Sequence, residues 1–487
     1  MSRRPAPHPL ARLDHQHVWH PFTQMRDWLN QEPIVIVSGE GAVLRDVNGK
    51  EYLDGNSSIW TNLHGHAHPK INGAITRQLR KIAHSSALGL ANEPASLLAA
   101  RLVSAAQPVP PVRSATSLTK VFFSDDGSTA MEVALKLAYV HAIRSGFSKR
   151  PRFLSLTGAY HGDTVGAVAL GHIDLFHKAY TGLLFRTDQV MSPYCYRCPF
   201  NRARPDRADA RSYRKCGTEC LSLVEQKFTT RRKKGNPYAA FVVEPRVQGA
   251  AGIIAQPDGW LRQAAEIARA HGAQLIADEV MTGFGRTGPG EPTDSETTSS
   301  LFASHQEGVQ PDYLAVAKGL TGGYLPMAAT LTTTGVFDSF LGDYAEFKTF
   351  FHGHSFTGNQ LGAAAALASL DLLAGAASLR ARRMLQETLR QELRGLWELP
   401  QIGDIRQVGL VVGIELVKNW QTRESYDLRE RAGIRVCEAM ARRGVLTRPI
   451  GNVIVLLPPY CTTRKQALRM VAALAESVRE VLPAQAP

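Results

Sequence analysis

Two residues at two strand ends carry the chemistry of this sequence. Leu275-Ile-Ala277 is a short apolar run that reads as a buried strand; it ends on Asp278, and the glycine-rich stretch Gly283-Phe-Gly-Arg-Thr-Gly288 follows. Tyr313-Leu-Ala-Val-Ala317 repeats the pattern, ending on Lys318 and then on Gly319, Gly322 and Gly323. Ligands of open parallel sheets bind beyond the carboxyl ends of strands. A lysine buried there sheds its proton and becomes a nucleophile toward carbonyl carbon. A carboxylate there suits the protonated nitrogen of a heteroaromatic ring. Both requirements belong to one cofactor, pyridoxal phosphate.

The elements that must position this pair can be read on either side of it. Lys120-Val-Phe-Phe-Ser124 is a strand, Asp125-Asp-Gly127-Ser128-Thr129 a turn, and Ala130 to about Ile143 a helix with apolar residues at helical spacing. The free N–H groups and positive dipole end of such a helix hold phosphate, and Gly127 lets the backbone approach closely. Arg152–Leu156 is a further strand with Gly158-Ala-Tyr160-His-Gly162 past its end. Tyr160 there is either a face for a flat ring or a packed tyrosine. Ala239–Val243 leads into Glu244, and a helix from Trp260 to His271 leads into the Asp278 strand. Strands alternating with helices predict an α/β fold with a mostly parallel sheet.

At 487 residues the chain exceeds one simple core, and 44% hydrophobic with 20% charged residues is a globular composition. No apolar run reaches a membrane span. The basic, proline-rich opening, Met1 to Pro9, lacks an apolar signal core and reads as a loose tail on a cytoplasmic protein. The formal charge of +13 gathers partly in Arg202–Lys215 and Arg231–Lys234. A solvated face accounts for such clusters, and neither a nucleic-acid nor a membrane partner is expected from them. Four cysteines pair as Cys195-x-x-Cys198 and Cys216-x-x-x-Cys220. In a cytosolic chain that spacing favours a structural metal clip over disulfides, the alternative being free thiols in an insertion over about 193–235. No metal is assigned to the catalytic site.

The remaining segments frame the central domain. Val18 to Met25 is an aromatic arm broken by Pro21. Ile34–Val37 and Ala42–Asp54 form an antiparallel meander turning at Asn48-Gly49. His64, His66 and His68 lie in a turn before a helix from Lys70; their spacing alone does not make a metal site. After Ala363 helices run to about Trp397, and Gly403–Arg406 with Val411–Glu415 opens a terminal α+β region. The expected division is an arm with part of a small domain over 1–75, a large domain over 76–365, and a small domain over 366–487.

Together these stretches resemble the class III (ω-amino) pyridoxal-phosphate aminotransferases, from Trp19-His-Pro-Phe-Thr-Gln-Met25 to Pro458-Pro-Tyr460. Four motifs resemble the branch that aminates 8-amino-7-oxononanoate in biotin biosynthesis. They are the Trp-His-Pro-aromatic-Thr arm, Gly158-Ala-Tyr-His-Gly-Asp-Thr164, His352-Gly-His-Ser-Phe356 and Thr447-Arg448-Pro449. The resemblance implies fold type I of the pyridoxal-phosphate enzymes, with a small domain built from both chain ends. It also implies a homodimer with sites at the subunit interface. Lys318 would be the Schiff-base lysine and Asp278 the acid on the ring nitrogen. Gly127 and Ser128 would form the phosphate cup, with His354 and Ser355 reaching in from the second subunit. Tyr160 would stand beside the ring; Phe22, Trp60, Tyr160, Gly353 and Arg448 would contact substrate, Arg448 through its carboxylate. Glu244, Gln248 and Arg286 would be supporting residues.

Two departures bear on the substrates. Many relatives carry two tryptophans after Ser-Ser and a tyrosine in the arm; here Ile59 precedes Trp60, and Phe22 occupies the arm. That leaves adenosylmethionine and lysine both open as amino donor. Val455 stands three residues before Pro458-Pro459, where glutamate-using ω-aminotransferases have arginine. The rival readings are another class III ω-amine aminotransferase and, from a different class, a basic nucleic-acid-binding protein, which leaves Asp278 and Lys318 unexplained.

Overall fold

The structure, a computed structural model, describes residues 8–107, 117–288 and 300–483. The opening tail lies, through residue 7, outside the described residues. The centre is a seven-stranded sheet in the order Leu118–Ser124, Ala328–Thr333, Tyr313–Val316, Gln274–Asp278, Tyr238–Val243, Arg152–Leu156, Asp188–Val190. The Asp278 strand is thus the middle one. It runs parallel to both neighbours, and only Ala328–Thr333 pairs antiparallel with the strands beside it. Tyr238–Val243 is buried at every residue, as a strand covered on both faces must be.

Helices Gly127–Arg144 and Trp260–Ala270 cover the sheet with faces buried at Ala134, Leu137 and Ala138, and at Leu261, Ala264 and Ala268. A second sheet joins Ile36–Glu40, Val43–Asp46 and Glu51–Asp54 to Val445–Leu446, which pairs parallel with the third of these. Segments nearly 400 residues apart therefore share one sheet. The hairpin Ile402–Val408/Val411–Asn419 carries the remaining C-terminal strands. Among the described residues no single helix is long and apolar enough to cross a membrane.

The basic clusters are not merely a solvated face. Arg207 donates to the carbonyls of Trp397, Leu399 and Ile402, Arg211 to Asp209 and the Gln407 carbonyl, and Arg231 to Asp188. These guanidinium groups are spent inside the molecule, which weakens a nucleic-acid reading further.

Candidate active site

Asp278 and Lys318 reach one cavity because their strands are parallel neighbours in register, with Asp278 opposite Ala315. The cavity measures about 710 Å³, and Trp60, Gly127, Ser128, Tyr160, His161, Glu244, Asp278 and Lys318 all line it. Lys318 opens the short turn Lys318–Thr321 with a left-handed φ of 43°, a conformation non-glycine residues rarely take outside functional sites. Burial lowers its pKa from the ordinary lysine value, while Asp278 and Glu244 pull the other way. The result favours a lysine that gives up its proton more readily than one in water.

Asp278 is held from two sides. Its Oδ2 lies 2.7 Å from Nδ1 of His161, and its Oδ1 accepts from the Val280 N–H at 3.1 Å. His161 is 3% exposed. Burial works against its charge, but the hydrogen bond and charge of Asp278 and the charge of Glu244 outweigh it and raise its pKa. Glu244 accepts from the N–H groups of Tyr160 and Gly249 at 3.3 and 2.7 Å, and burial, with Asp278 adding to it and His161 opposing, pushes it up to about 7. The sequence displayed His161 beside Tyr160 but gave it no task. A histidine just past a strand end, next to an acid-bearing strand, was the available signal.

The helix Gly127–Arg144 presents its N-terminus to the same cavity. Asp126 caps it, accepting from the Thr129 N–H at 2.8 Å, which leaves the N–H groups of Gly127 and Ser128 without a helical partner. A Cβ on Gly127 would stand 2.6 Å from Val280 Cγ1, so only glycine fits beneath the Asp278 strand. Ser128 Oγ accepts from the Thr164 N–H at 2.9 Å and binds the turn bearing Tyr160 to the helix end. Free amides and a positive dipole end on one side, with a carboxylate and a lysine on the other, fit a flat ring bearing phosphate. The predicted helix start at Ala130 moves to Gly127, because the Asp126 cap, not the first apolar residue, sets it.

Trp60 arrives by an unusual backbone. Ser57, Ser58, Ile59 and Trp60 have φ of 53°, 49°, 62° and 68°, a single left-handed turn where the sequence predicted only a loop. Such a turn costs about 1–2 kcal/mol per residue. Asp54 holds it, accepting from the Ser58 N–H at 2.9 Å and the Ser58 hydroxyl at 2.8 Å. Arg286, buried, donates to the carbonyls of Trp60 and Asn62 at 3.3 and 2.9 Å. Trp60 is thereby placed with its ring centre 5.4 Å from Lys318 Nζ. Gln248 stays behind the site, donating to the Thr157 carbonyl at 3.2 Å.

Other predicted site residues do not line this cavity. Phe22 is exposed at the mouth, its ring 6.5 Å from that of Tyr160. Gly353 and Ser355 are exposed, and His354 reaches only the rim, 3.8 Å from Asp125. Arg448 is exposed, which corrects the expectation of a buried arginine, since it sits on the loop between Val445–Leu446 and Pro449–Ile450. Ile59 is 46% exposed and does not line the cavity, so the aromatic wall beside Lys318 comes from Trp60. Of the three histidines, His64 bonds Ser369, His66 bonds Asp54 and His68 caps the helix Pro69–Lys81.

Comparison with known proteins agrees with this geometry. The family model for class-III aminotransferases matches residues 25–478. The chain is 46% identical to the adenosylmethionine-8-amino-7-oxononanoate aminotransferase of Geobacter sulfurreducens, covering 97% of this chain and 98% of the relative. It is 48% identical to the enzyme of that name from Nitratidesulfovibrio vulgaris, over 95% of this chain and 80% of the relative. The crystal structure of the Methanocaldococcus jannaschii enzyme of that name superposes with a TM-score of 0.85 at 38% identity, covering 97% of this chain and 99% of that one. An amine transaminase from an uncultivated Pseudomonas species, solved with pyridoxal phosphate bound, gives 0.83 at 31% identity, over 95% and 98%. The architecture is fold type I of the pyridoxal-phosphate transferases, and the chain belongs to the class-III aminotransferases.

Proposed function

We propose that this aminotransferase uses pyridoxal phosphate to convert 8-amino-7-oxononanoate into 7,8-diaminononanoate in biotin biosynthesis, with adenosylmethionine or lysine as amino donor. The observation that carries the reading is the single cavity in which Lys318, Asp278 and the N-terminus of Gly127–Arg144 meet. The near-full-length relatives named for this acceptor narrow the substrate.

When bound, the cofactor supplies a carbonyl that accepts the amine and a ring that delocalises the electrons left when a carbon loses its proton. The amides of Gly127 and Ser128 would take its phosphate. Asp278 would hold the proton on the ring nitrogen, with His161 orienting that carboxylate. Tyr160 and Trp60 would wall the ring and the reacting carbon. Lys318 would hold the cofactor through its amine and, when free, would move a proton between carbon atoms as base and then acid. Arg448 would grip the distal carboxylate of the acceptor, and Phe22 with Gly353 would border the substrate.

A homodimer completes the site in this reading. Ser355, exposed, and His354, at the rim of the cavity, would reach the phosphate of a second copy. The exposed Phe347, Phe351 and Phe356 around them suit a face covered by that copy. Catalysis in the cytoplasm accords with small, polar substrates.

The test is product formation from 8-amino-7-oxononanoate with each donor, followed by mass spectrometry. Diaminononanoate from either donor is the expected result. Absence of product with both, alongside turnover of simple ω-amines with pyruvate, would replace this reading with a broad ω-amine aminotransferase. That second reading draws on the amine transaminase likeness alone.

A further inference from the structure

The cysteine-bearing insertion folds into a pocket that shares no lining residue with the catalytic cavity. Cys195 lies in the turn Cys195–Arg197, and Cys220 in the first turn of the helix Glu219–Lys233. Both are buried, and Cys198 and Cys216 are half-buried; all four are free thiols. One small cavity of about 60 Å³ is lined by all four together with Arg214 and Trp260. Asn201 stitches the two cysteine-bearing turns. Its amide donates to the Cys195 carbonyl at 3.0 Å, and its Oδ1 accepts from the Lys215 N–H at 3.0 Å.

A second observation points into this cavity. Trp260 is 2% exposed, and its indole N–H meets the Cys220 thiol and no oxygen or nitrogen acceptor. The indole N–H is close enough to Cys220 to act on its thiol. A buried N–H donor without an acceptor costs about 1–3 kcal/mol. A neutral thiol is a weak acceptor, a disulfide sulfur offers little more, and a thiolate is a good one. Metal binding at Cys220 would therefore give the buried indole the acceptor that a neutral thiol supplies only weakly, and four cysteines lining one cavity offer the donors for it.

We propose that Cys195, Cys198, Cys216 and Cys220 bind one zinc ion per chain as a structural clip. Four thiolates in a tetrahedron suit zinc, with Zn–S of about 2.3 Å. Four thiolates on one divalent ion leave two negative charges. Arg214 at the cavity wall offsets part of that charge, and the Trp260 N–H donates to a ligating sulfur. Binding exchanges four thiol protons for one ion, and no electron moves. Among the described residues no three His, Cys, Asp or Glu side chains already stand at ligand separations. The four thiols line one cavity, and binding would draw them together by rotation of their side chains.

The clip has mechanical consequences. The insertion spans two parts of the fold. On one side Cys220 and Trp260 belong to helices packed on the central sheet. On the other, Arg197 donates to Glu415 Oε1 at 2.9 and 2.7 Å, Tyr194 bonds the same carboxylate, and the Ala210 N–H donates to Asp404 at 3.1 Å. Zinc at the four cysteines holds the root of that strap.

The experiment uses full-length protein expressed with added zinc and purified without chelator. Metal analysis is expected to give one zinc per chain in the wild type and in Cys461→Ser, and less than half of that in Cys198→Ser. Cobalt exchanged into the wild type is expected to show the strong thiolate-to-metal absorption of a tetrahedral sulfur site. That spectroscopic arm needs no variant to fold. Removing the metal is expected to lower the melting temperature and to expose four additional thiols to a thiol reagent. Substoichiometric zinc after incubation with the ion would overturn the proposal. So would an intact mass four hydrogens below that of the reduced chain, which would show two disulfides instead.

Discussion

His161 Nδ1 and Asp278 Oδ2 stand 2.7 Å apart, both side chains buried, at the ends of strands two places apart in the sheet. The imidazole fixes which way the carboxylate faces and adds positive charge behind it. A phenyl ring at position 161 keeps most of the volume and removes the donor. His161→Phe is expected to lower kcat roughly tenfold to a hundredfold, from about 1.5–3 kcal/mol for a charge-assisted bond. His161→Asn, whose amide can donate from nearly the same place, should recover most of that loss. The check is kcat measured at saturating cofactor; a phenylalanine variant within twofold of wild type would show that Asp278 needs no such support.

The same pair sets a pH dependence in the cofactor-free protein. The pKa of His161 lies above its ordinary 6.5, through Asp278 and Glu244 acting against burial. A raised histidine contributes stability that is complete below 6.5 and is lost as pH rises through the folded value. His161→Asn keeps a donor but cannot titrate. Glu244, at about 7, titrates in both proteins, as do His172 and His177 nearby. The melting temperature of wild type minus that of His161→Asn should therefore be largest below pH 6.5 and shrink toward alkaline pH. A difference that grows with pH would reverse the sign assigned here.

The chemistry-bearing pair was legible because each member closes a short apolar run, and burial on both faces leaves such runs no other reading. Their mutual placement was legible too, since parallel neighbours put both strand ends on one edge. The turn at Ser57–Trp60 was not. Nothing in Ser-Ser-Ile-Trp prefers a left-handed φ, and the conformation is imposed by Asp54 and by Arg286, far away in sequence. The exposure of Arg448 and Ile59 was equally hidden, because apolar or charged character does not say which side of a loop faces the cavity.

Lys318 performs both attachment and proton movement in the proposed mechanism, so Lys318→Ala should remove turnover. General acid–base work alone accounts for about 10²–10⁴ in rate. The phosphate contacts proposed for Gly127 and Ser128 do not involve Lys318, so cofactor should still bind, with its visible spectrum displaced. Stopped-flow and steady-state assays report the rate, and equilibrium dialysis reports the binding. Turnover near the wild-type level would remove Lys318 from the chemistry.

Arg448→Ala tests the acceptor side. The guanidinium is exposed in the single chain, and the observation motivating the test is its position next to the edge strand Pro449–Ile450, which pairs with Val453–Leu456. With water excluded by substrate and the second copy, losing a charged contact of about 1.5–3 kcal/mol raises the acceptor KM roughly tenfold to over a hundredfold. The donor half-reaction should change little. A KM for 8-amino-7-oxononanoate within threefold of wild type would free Arg448 from that role.

The last prediction concerns the donor. Trp60 gives the cavity one indole, 5.4 Å from Lys318 Nζ, and Ile59 leaves the mouth beside it without a second. Adenosylmethionine carries a flat adenine whose binding gains from aromatic walls. Lysine is an unbranched chain and needs no such wall, so lysine is expected to serve as a competent donor. Ile59→Trp should then shift preference toward adenosylmethionine. Covering part of an adenine with a further indole is worth about 1–2 kcal/mol at roughly 25 cal/mol per Å², a gain of roughly five- to thirtyfold in donor kcat/KM. The backbone permits the change, since Ile59 already holds φ of 62° and a residue without β-branching is less strained there. Each donor half-reaction can be followed alone, by the fall in visible absorbance of the bound cofactor as donor is added. If adenosylmethionine discharges the wild-type enzyme rapidly while lysine at high concentration does nothing, Ile59 does not report the donor and the expectation fails.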